Sequence, residues 1–314
     1  NTLYHGAIVN DSATTDAVLT VNTAAGDNQV YMGWLLDKDL LQHPAYTNTL
    51  GLNKTGAGSL TLSNPYNDYS GNTTVSGGTL FVNNTSGSAT GSGLVTVKDT
   101  ATLGGTGSIG TGSIGGGIVV EQGGTLSPGS AAGVIGNLTS GGDVDFNPTT
   151  NPGGTFKVDI ALDIDGVTVL ADKLIVQGTH VVDITNSILD LPTLWDGPET
   201  ASPNQYLTII DNVDDASTLV GYFANRPPTG GVHDLGWHYG SNWYLYYNVD
   251  AATQSLEFNS GNDLVITNVP EPSTLALLAG AALTALGGVF WRRRKQVAVK
   301  REEDDSDAWY ELEV

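Results

Sequence analysis

The chain has 314 residues, 33 acidic against 12 basic, a formal net charge of −21, 41 glycines and no cysteine. This balance excludes nucleic-acid binding, because phosphate affinity needs clustered Lys and Arg. The missing cysteines exclude disulfide frameworks, thiolate catalysis and Cys-ligated zinc.

Average glycine usage, about 7%, would give roughly 22 at this length. The excess asks for tight turns and close backbone approaches. Hydrophobic residues make up 39% of the chain, enough for a core. The sequence begins at Asn1 without an initiator Met, so the absence of a visible leader carries no weight. Either a leader has been removed or the chain is a fragment. Residues 1–50 read as a β-rich segment. Within it, the spacing of Trp34-Leu35-Leu36 and Leu40-Leu41 predicts a short helix.

Residues 51–154 alternate short aliphatic runs with Gly, Asn, Ser and Thr turns. Leu60-Thr61-Leu62, Thr79-Leu80-Phe81-Val82, Leu94-Val95-Thr96-Val97 and Ile118-Val119-Val120 are such runs. The segment Val95–Leu103 overlays Ile118–Leu126 with a constant shift of 23 residues, and Val75–Leu80 is a shorter version of the same phrase. A period of this length means stacked rungs, each burying its apolar face against its neighbours. A parallel β-helix fits: glycine makes the corners, while Leu60, Leu62, Val75, Leu80, Val82, Val95, Val97 and Leu103 stack inward. A disordered linker would not place aliphatics at every second position.

Lys54-Thr55-Gly56-Ala57-Gly58-Ser59-Leu60-Thr61-Leu62 and Tyr69–Leu80 resemble the autotransporter-associated β-strand repeat. Ala101–Gly107 and Gly123–Gly129 are similar to the segments that come after that repeat in passenger domains. The resemblance covers about Leu52 to Gly129, and implies a right-handed β-helical stalk on a cell surface. The outer-membrane barrel of such proteins is not expected here.

Residues 155–268 change texture. Phe156, Val158, Ile160, Leu162 and Ile164 alternate strictly with Lys157, Asp159, Ala161, Asp163 and Asp165, as in a strand with one wet face. Leu207/Ile209, Trp243–Tyr247, Leu256–Phe258 and Leu264–Ile266 are further strands. This region is expected to form an antiparallel cap that protects the last rung from edge-to-edge growth.

Several constellations carry candidate chemistry. Gly105–Gly110 and Gly110–Gly115 match G-x-G-x-x-G, but overlap in tandem with a strand directly after them, so they read as repeat turns. His233 and His238, five residues apart on a strand, are expected on opposite faces and without a shared metal. Asp163-Ile164-Asp165-Gly166 looks like the start of a calcium loop without its later ligands, and Asp143/Asp145 and Asp211/Asp214/Asp215 are other acidic clusters. Loose calcium binding stays open beside plain solvation, and no cofactor is expected. Trp237, Trp243, Tyr244, Tyr246 and Tyr247 form either an aromatic sugar platform or a part-core, part-surface strand. A glycan-cleaving coil needs paired carboxylates, and one acting on acidic glycans also needs cations. Only six basic residues precede Pro270.

The C-terminus carries the sharpest signal. Leu275 to Trp291 is a 17-residue stretch without a charge. At about 1.5 Å per residue, roughly 25 Å, it nearly spans a bilayer core of about 30 Å. Pro272 suits a helix start, and Arg292, Arg293, Arg294 and Lys295 hold the far end on the cytoplasmic side. A buried core helix rarely ends in four consecutive cations.

Pro270-Glu271-Pro272, the apolar span and the cation cluster together resemble the PEP-CTERM sorting signal of Gram-negative bacteria (residues 269–295). The resemblance implies an exosortase-type processing enzyme as partner, membrane passage through residues 275–291, and delivery to the surface or matrix. Residues 296–314, with seven acids, read as a disordered acidic tail. The expected fold is thus all-β: a right-handed parallel β-helix, an antiparallel cap and one C-terminal transmembrane helix. The expected role is non-enzymatic, structural or adhesive, in an envelope or exopolysaccharide layer, with glycan binding or cleavage as the alternative.

Overall fold

The computed structural model describes residues 6–38, 45–110, 116–131, 133–146, 151–163, 165–192, 201–214, 216–238, 240–256 and 261–269. Every regular element among them is a β-strand, and three large sheets run side by side along the chain. The first face stacks Ala17–Asn22, Leu50–Thr55, Thr73–Val75, Val95–Val97, Ile118–Val120, Val144–Asp145, Val181–Asp183 and Thr218–Val220, all parallel. The second stacks Asn28–Tyr31, Ser59–Leu62, Gly78–Val82, Ala101–Gly105, Thr125–Pro128, Thr155–Lys157 and Ile188–Asp190, again all parallel. The third begins with Ser108–Ile109, Asn137–Ser140, Lys173–Val176 and Tyr206–Asn212 in parallel. This is the arrangement of a β-helical coil.

The register follows the sequence phrase. Val95 lies opposite Ile118 and Leu103 opposite Leu126, the 23-residue shift of the repeat. Because side chains alternate across a strand, equal register puts equal side chains inside. Leu60, Leu80, Leu103, Leu126, Phe156 and Leu189 form one buried ladder on the second face. Leu52, Thr73, Val95, Ile118, Val144, Val182 and Leu219 form another on the first. Thr73 is admitted because its hydroxyl pairs with the buried Tyr69 hydroxyl at 2.6 Å.

Glycine is required where coils nearly touch. At Gly78 φ is 62°, and a Cβ would sit 2.2 Å from the Gly58 carbonyl oxygen. Gly105, the first glycine of the tandem fingerprint, has φ 127° and would place a Cβ 2.0 Å from the Val82 oxygen. It ends a strand at a coil corner, and no helix follows among the described residues.

Two expectations need correction. The first concerns Trp34–Leu36, which is a strand paired in parallel with Ala7–Val9. Trp34 N–H donates to the Gly6 carbonyl at 3.2 Å, and Leu35 turns inward while Trp34 faces out, the alternation of a strand. Leu40 and Leu41 lie outside the described residues. The coil already includes strands before residue 51: Ala17–Asn22 and Asn28–Tyr31 stack on the next strands of their faces.

The second concerns the cap, which does not begin at Thr155. Parallel stacking runs on to Thr218–Val220, and the large faces turn antiparallel where Tyr206–Asn212, Asp263–Thr267, Ser241–Val249 and Val232–His238 extend the third one. The texture changes because rungs lengthen: Thr125 pairs with Thr155 and Val144 with Val182. The alternating run also breaks in two. Thr155–Lys157 stays in the coil, while Ile160–Leu162 makes a hairpin with Val169–Ala171. Asp159, expected on a wet face, is buried because its carboxylate accepts the Gly133 N–H at 2.8 Å.

Aromatic rings fill this end of the interior. Phe146 meets Phe156 edge-on at 5.9 Å, Phe156 stacks on Phe223 at 6.4 Å, and Phe223 reaches Tyr247 at 6.3 Å. The Tyr247 hydroxyl donates to the Arg226 carbonyl at 2.7 Å, which satisfies its polar end.

Candidate functional site

The residues expected to carry sorting, Pro270, Glu271, Pro272, Arg292, Arg293, Arg294 and Lys295, and the expected span 275–291, lie outside the described residues. Among the described residues no helix is long and apolar enough to cross a membrane. What the structure positions is the segment leading to them. Asp263–Thr267 is a fully buried strand between Tyr206–Asn212 and Ser241–Val249. Asn268 then donates to the Ser202 carbonyl at 2.9 Å and accepts the Gln205 N–H at 2.7 Å. The residues just before the sorting triplet are therefore clamped to the body.

The coil 52–82 contains a group that sequence reading overlooked. Lys54 sits in an inward ladder between Val21 and Val75, fully buried. Its Nζ donates to the carbonyls of Thr55 at 3.0 Å, Gly56 at 3.0 Å and Gly77 at 2.9 Å, one partner for each ammonium proton. Burial pushes its pKa below the usual lysine range. Asn67 works similarly: its Oδ1 accepts the Leu35 N–H at 2.9 Å and its Nδ2 donates to the Ala89 carbonyl at 2.7 Å, tying three coils together. A lone polar residue at an inward position of an otherwise apolar phrase was the available signal for Lys54.

Asp143 and Asp165 serve as local caps. Asp143 accepts the Val181 N–H at 2.9 Å and faces His180 Nδ1 at 3.2 Å. Asp165 accepts the N–H groups of Val167 at 2.9 Å and Thr168 at 2.8 Å, closing the hairpin loop that looked like a calcium start. Asp211 pairs with Lys173 at 3.1 Å beside a polar cleft of about 630 Å³ that Asp250 and Asp263 also line. Among the described residues no three acidic or histidine side chains form a group able to hold a metal ion.

The histidines fall otherwise than expected. A bulge between Asp234 and Gly236 shifts the register, so His233 opposes Leu245 and His238 opposes Ser241, on one face. Each turns to its own backbone: His233 Nδ1 lies 2.9 Å from the Pro227 carbonyl and His238 Nε2 lies 3.0 Å from that of Leu235.

Three rings of the expected aromatic platform face the core, Tyr244 stays half-buried, and the Trp237 side chain lies outside the described ones. Trp243, Tyr246 and Tyr247 are buried, and Trp243 Nε1 donates to the His238 carbonyl at 3.0 Å. The two most exposed aromatic rings among the described side chains lie elsewhere. Trp34 and Tyr66 flank a depression of about 370 Å³ with Met32, Ser63, Asn64 and Pro65.

Comparison with known proteins gives two short family matches and one partial relative. The passenger-associated-transport-repeat matches residues 52–82, and the PEP-CTERM protein-sorting motif matches residues 268–295. An adhesin, the BmaC autotransporter of Brucella suis biovar 1 (strain 1330), is 36% identical over 118 residues, which cover 35% of this chain. The chain spans 3% of the length of that relative. No solved structure matches. The sorting motif implies recognition by an exosortase-type processing enzyme, and export to the cell surface of a Gram-negative bacterium.

Proposed function

We propose that the chain is a non-enzymatic, surface-directed protein with an adhesive or structural role in an envelope or exopolysaccharide layer. The observation that carries this reading is the pairing, in one chain, of register-locked passenger-type coils with a sorting motif over residues 268–295. An autotransporter adhesin as partial relative supports the adhesive side. In this reading the coil is right-handed, residues 275–291 cross the inner membrane during sorting, and Arg292–Lys295 hold the cytoplasmic end. Stacked coils suit the task because each coil adds length at little folding cost beyond its neighbour contacts.

Attachment and turnover test the reading together. Cells producing the full chain are expected to attach to polysaccharide-coated surfaces more than cells lacking it. Purified full chain incubated with neutral and acidic polysaccharides is expected to release no reducing ends. Equal attachment by both strains contradicts adhesion, and released reducing ends contradict a non-enzymatic role.

A further inference from the structure

Trp34 and Tyr66 belong to successive coils. Leu36 forms a parallel bridge with Asp68, and Leu35 accepts the Asp68 N–H at 3.0 Å, so two residues back Trp34 comes abreast of Tyr66. Neighbouring strands lie about 4.8 Å apart, which sets the two rings on adjacent rungs of one outer face. Trp34 is 50% exposed, Tyr66 69% and Met32 43%.

Their placement is firmly built. A Cβ on Gly33 would sit 2.0 Å from the Gly6 oxygen, so only glycine lets the chain enter the strand that presents Trp34. Tyr31 Oη donates to the Trp34 carbonyl at 3.2 Å. Asn64 closes the other side: its Oδ1 accepts the Tyr66 N–H at 2.8 Å and its Nδ2 donates to the Met32 carbonyl at 3.2 Å. Ser63 Oγ, in the same lining, is buried without a hydrogen-bond partner.

We infer that this depression, lined by Met32, Trp34, Ser63, Asn64, Pro65 and Tyr66, is a binding site for a neutral polysaccharide. The inference rests on the adhesive reading and names its ligand class. Large exposed apolar surface on a soluble face marks an interaction site, and aromatic rings with polar neighbours suit the C–H faces and hydroxyls of a sugar chain. Charge fixes the class. None of the six lining side chains is charged, and a net charge of −21 repels an acidic polymer.

The test is retention of the full chain, in a sugar-free detergent, on cellulose, chitin, amylose resin and galactomannan, with alginate as the acidic comparison. Retention on at least one neutral polymer is expected, weakened roughly tenfold or more in W34A/Y66A with the melting temperature kept. Y66A alone, at the more exposed ring, is expected to weaken it in the same direction and does not depend on the fold at Trp34. Retention on none of the four, retention unchanged by the substitutions, or stronger retention on alginate overturns the proposal. So does sedimentation showing that W34A/Y66A dissolves a dimer, which assigns the patch to a second copy. Cell attachment separates the two readings. Attachment lost on deletion of the protein but kept in W34A/Y66A overturns this site alone, whereas attachment unchanged by deletion overturns the adhesive role.

Discussion

The Lys54 ammonium donates to the Gly77 carbonyl, one coil further along, at 2.9 Å. It does so from an inward position that valines occupy in the neighbouring coils. A cation in a coil's interior is costly unless every proton finds an acceptor. Here the carbonyls of Thr55, Gly56 and Gly77, at the corner where the strand stops, supply them.

Lys54→Met tests this lock. The methionine keeps the apolar stem but leaves the carbonyls of Thr55, Gly56 and Gly77 without this donor. A loss of about 1–3 kcal/mol is expected, read as a lower denaturant midpoint. A variant as stable as the parent contradicts the bracing role.

The corner glycines separate strain from mere composition. Gly78→Ala must adopt φ 62° and meet the Gly58 oxygen, whereas Gly6 has nothing within 4 Å of a Cβ. The first change is expected to cost about 1–2 kcal/mol from conformation alone, and more from the clash. Gly6→Ala stays within about 0.5 kcal/mol. Equal effects in thermal unfolding contradict the close approach.

The aromatic fill predicts a larger loss. Phe223 is fully buried between Phe156 and Tyr247. Phe223→Ala is expected to cost about 3–5 kcal/mol. A cost under about 1 kcal/mol shows that this end of the interior repacks freely.

Stability is expected to fall as pH rises through the mildly acidic range. Burial pushes Asp172 up to about 7, with the N–H groups of Asp159 and Gly136 offsetting only part of the shift. Burial also raises Asp263. Such a group binds more protons folded than unfolded between its usual value of 3.8 and its raised one, so its contribution is full below that window and lost across it. Asp165, Asp214 and Asp250, lowered mainly by hydrogen bonds from Thr168, Ala216 and Thr253, act oppositely and lose their contribution as pH falls below 3.8. Denaturant unfolding from pH 3 to pH 8 is expected to show a maximum near pH 4, and Asp172→Asn is expected to flatten the decline above it. An unchanged slope in that variant contradicts the assignment.

The coil was legible where rung length is constant. Leu103 and Leu126 repeat the same phrase 23 residues apart and meet in the structure. Past Gly129 the rungs lengthen irregularly and the phrase disappears, although Phe156 still lies over Leu126. Periodicity reports chain length per coil as much as strand pairing, which is why the cap was expected too early. The helix expected from Trp34–Leu36 together with Leu40 and Leu41 gives way at Trp34–Leu36, where pairing with Ala7–Val9 decides. The bulge at Leu235, which puts His233 and His238 on one face, leaves no trace in hydrophobic alternation. Trp34 and Tyr66 come together only through the Leu36–Asp68 bridge, 32 residues apart in sequence. The sorting motif, by contrast, is a contiguous string, and the family match spans residues 268–295.

Surface location is the most direct test of the whole reading. The full chain and a P270A/E271A/P272A variant, each produced in a Gram-negative host with an exosortase, can be probed by protease shaving of intact cells and by fractionation. The native triplet is expected to bring the coil to the protease-accessible surface, and the variant to stay with the inner membrane. Native chain found only in the cytosol, or a variant that reaches the surface equally well, contradicts it.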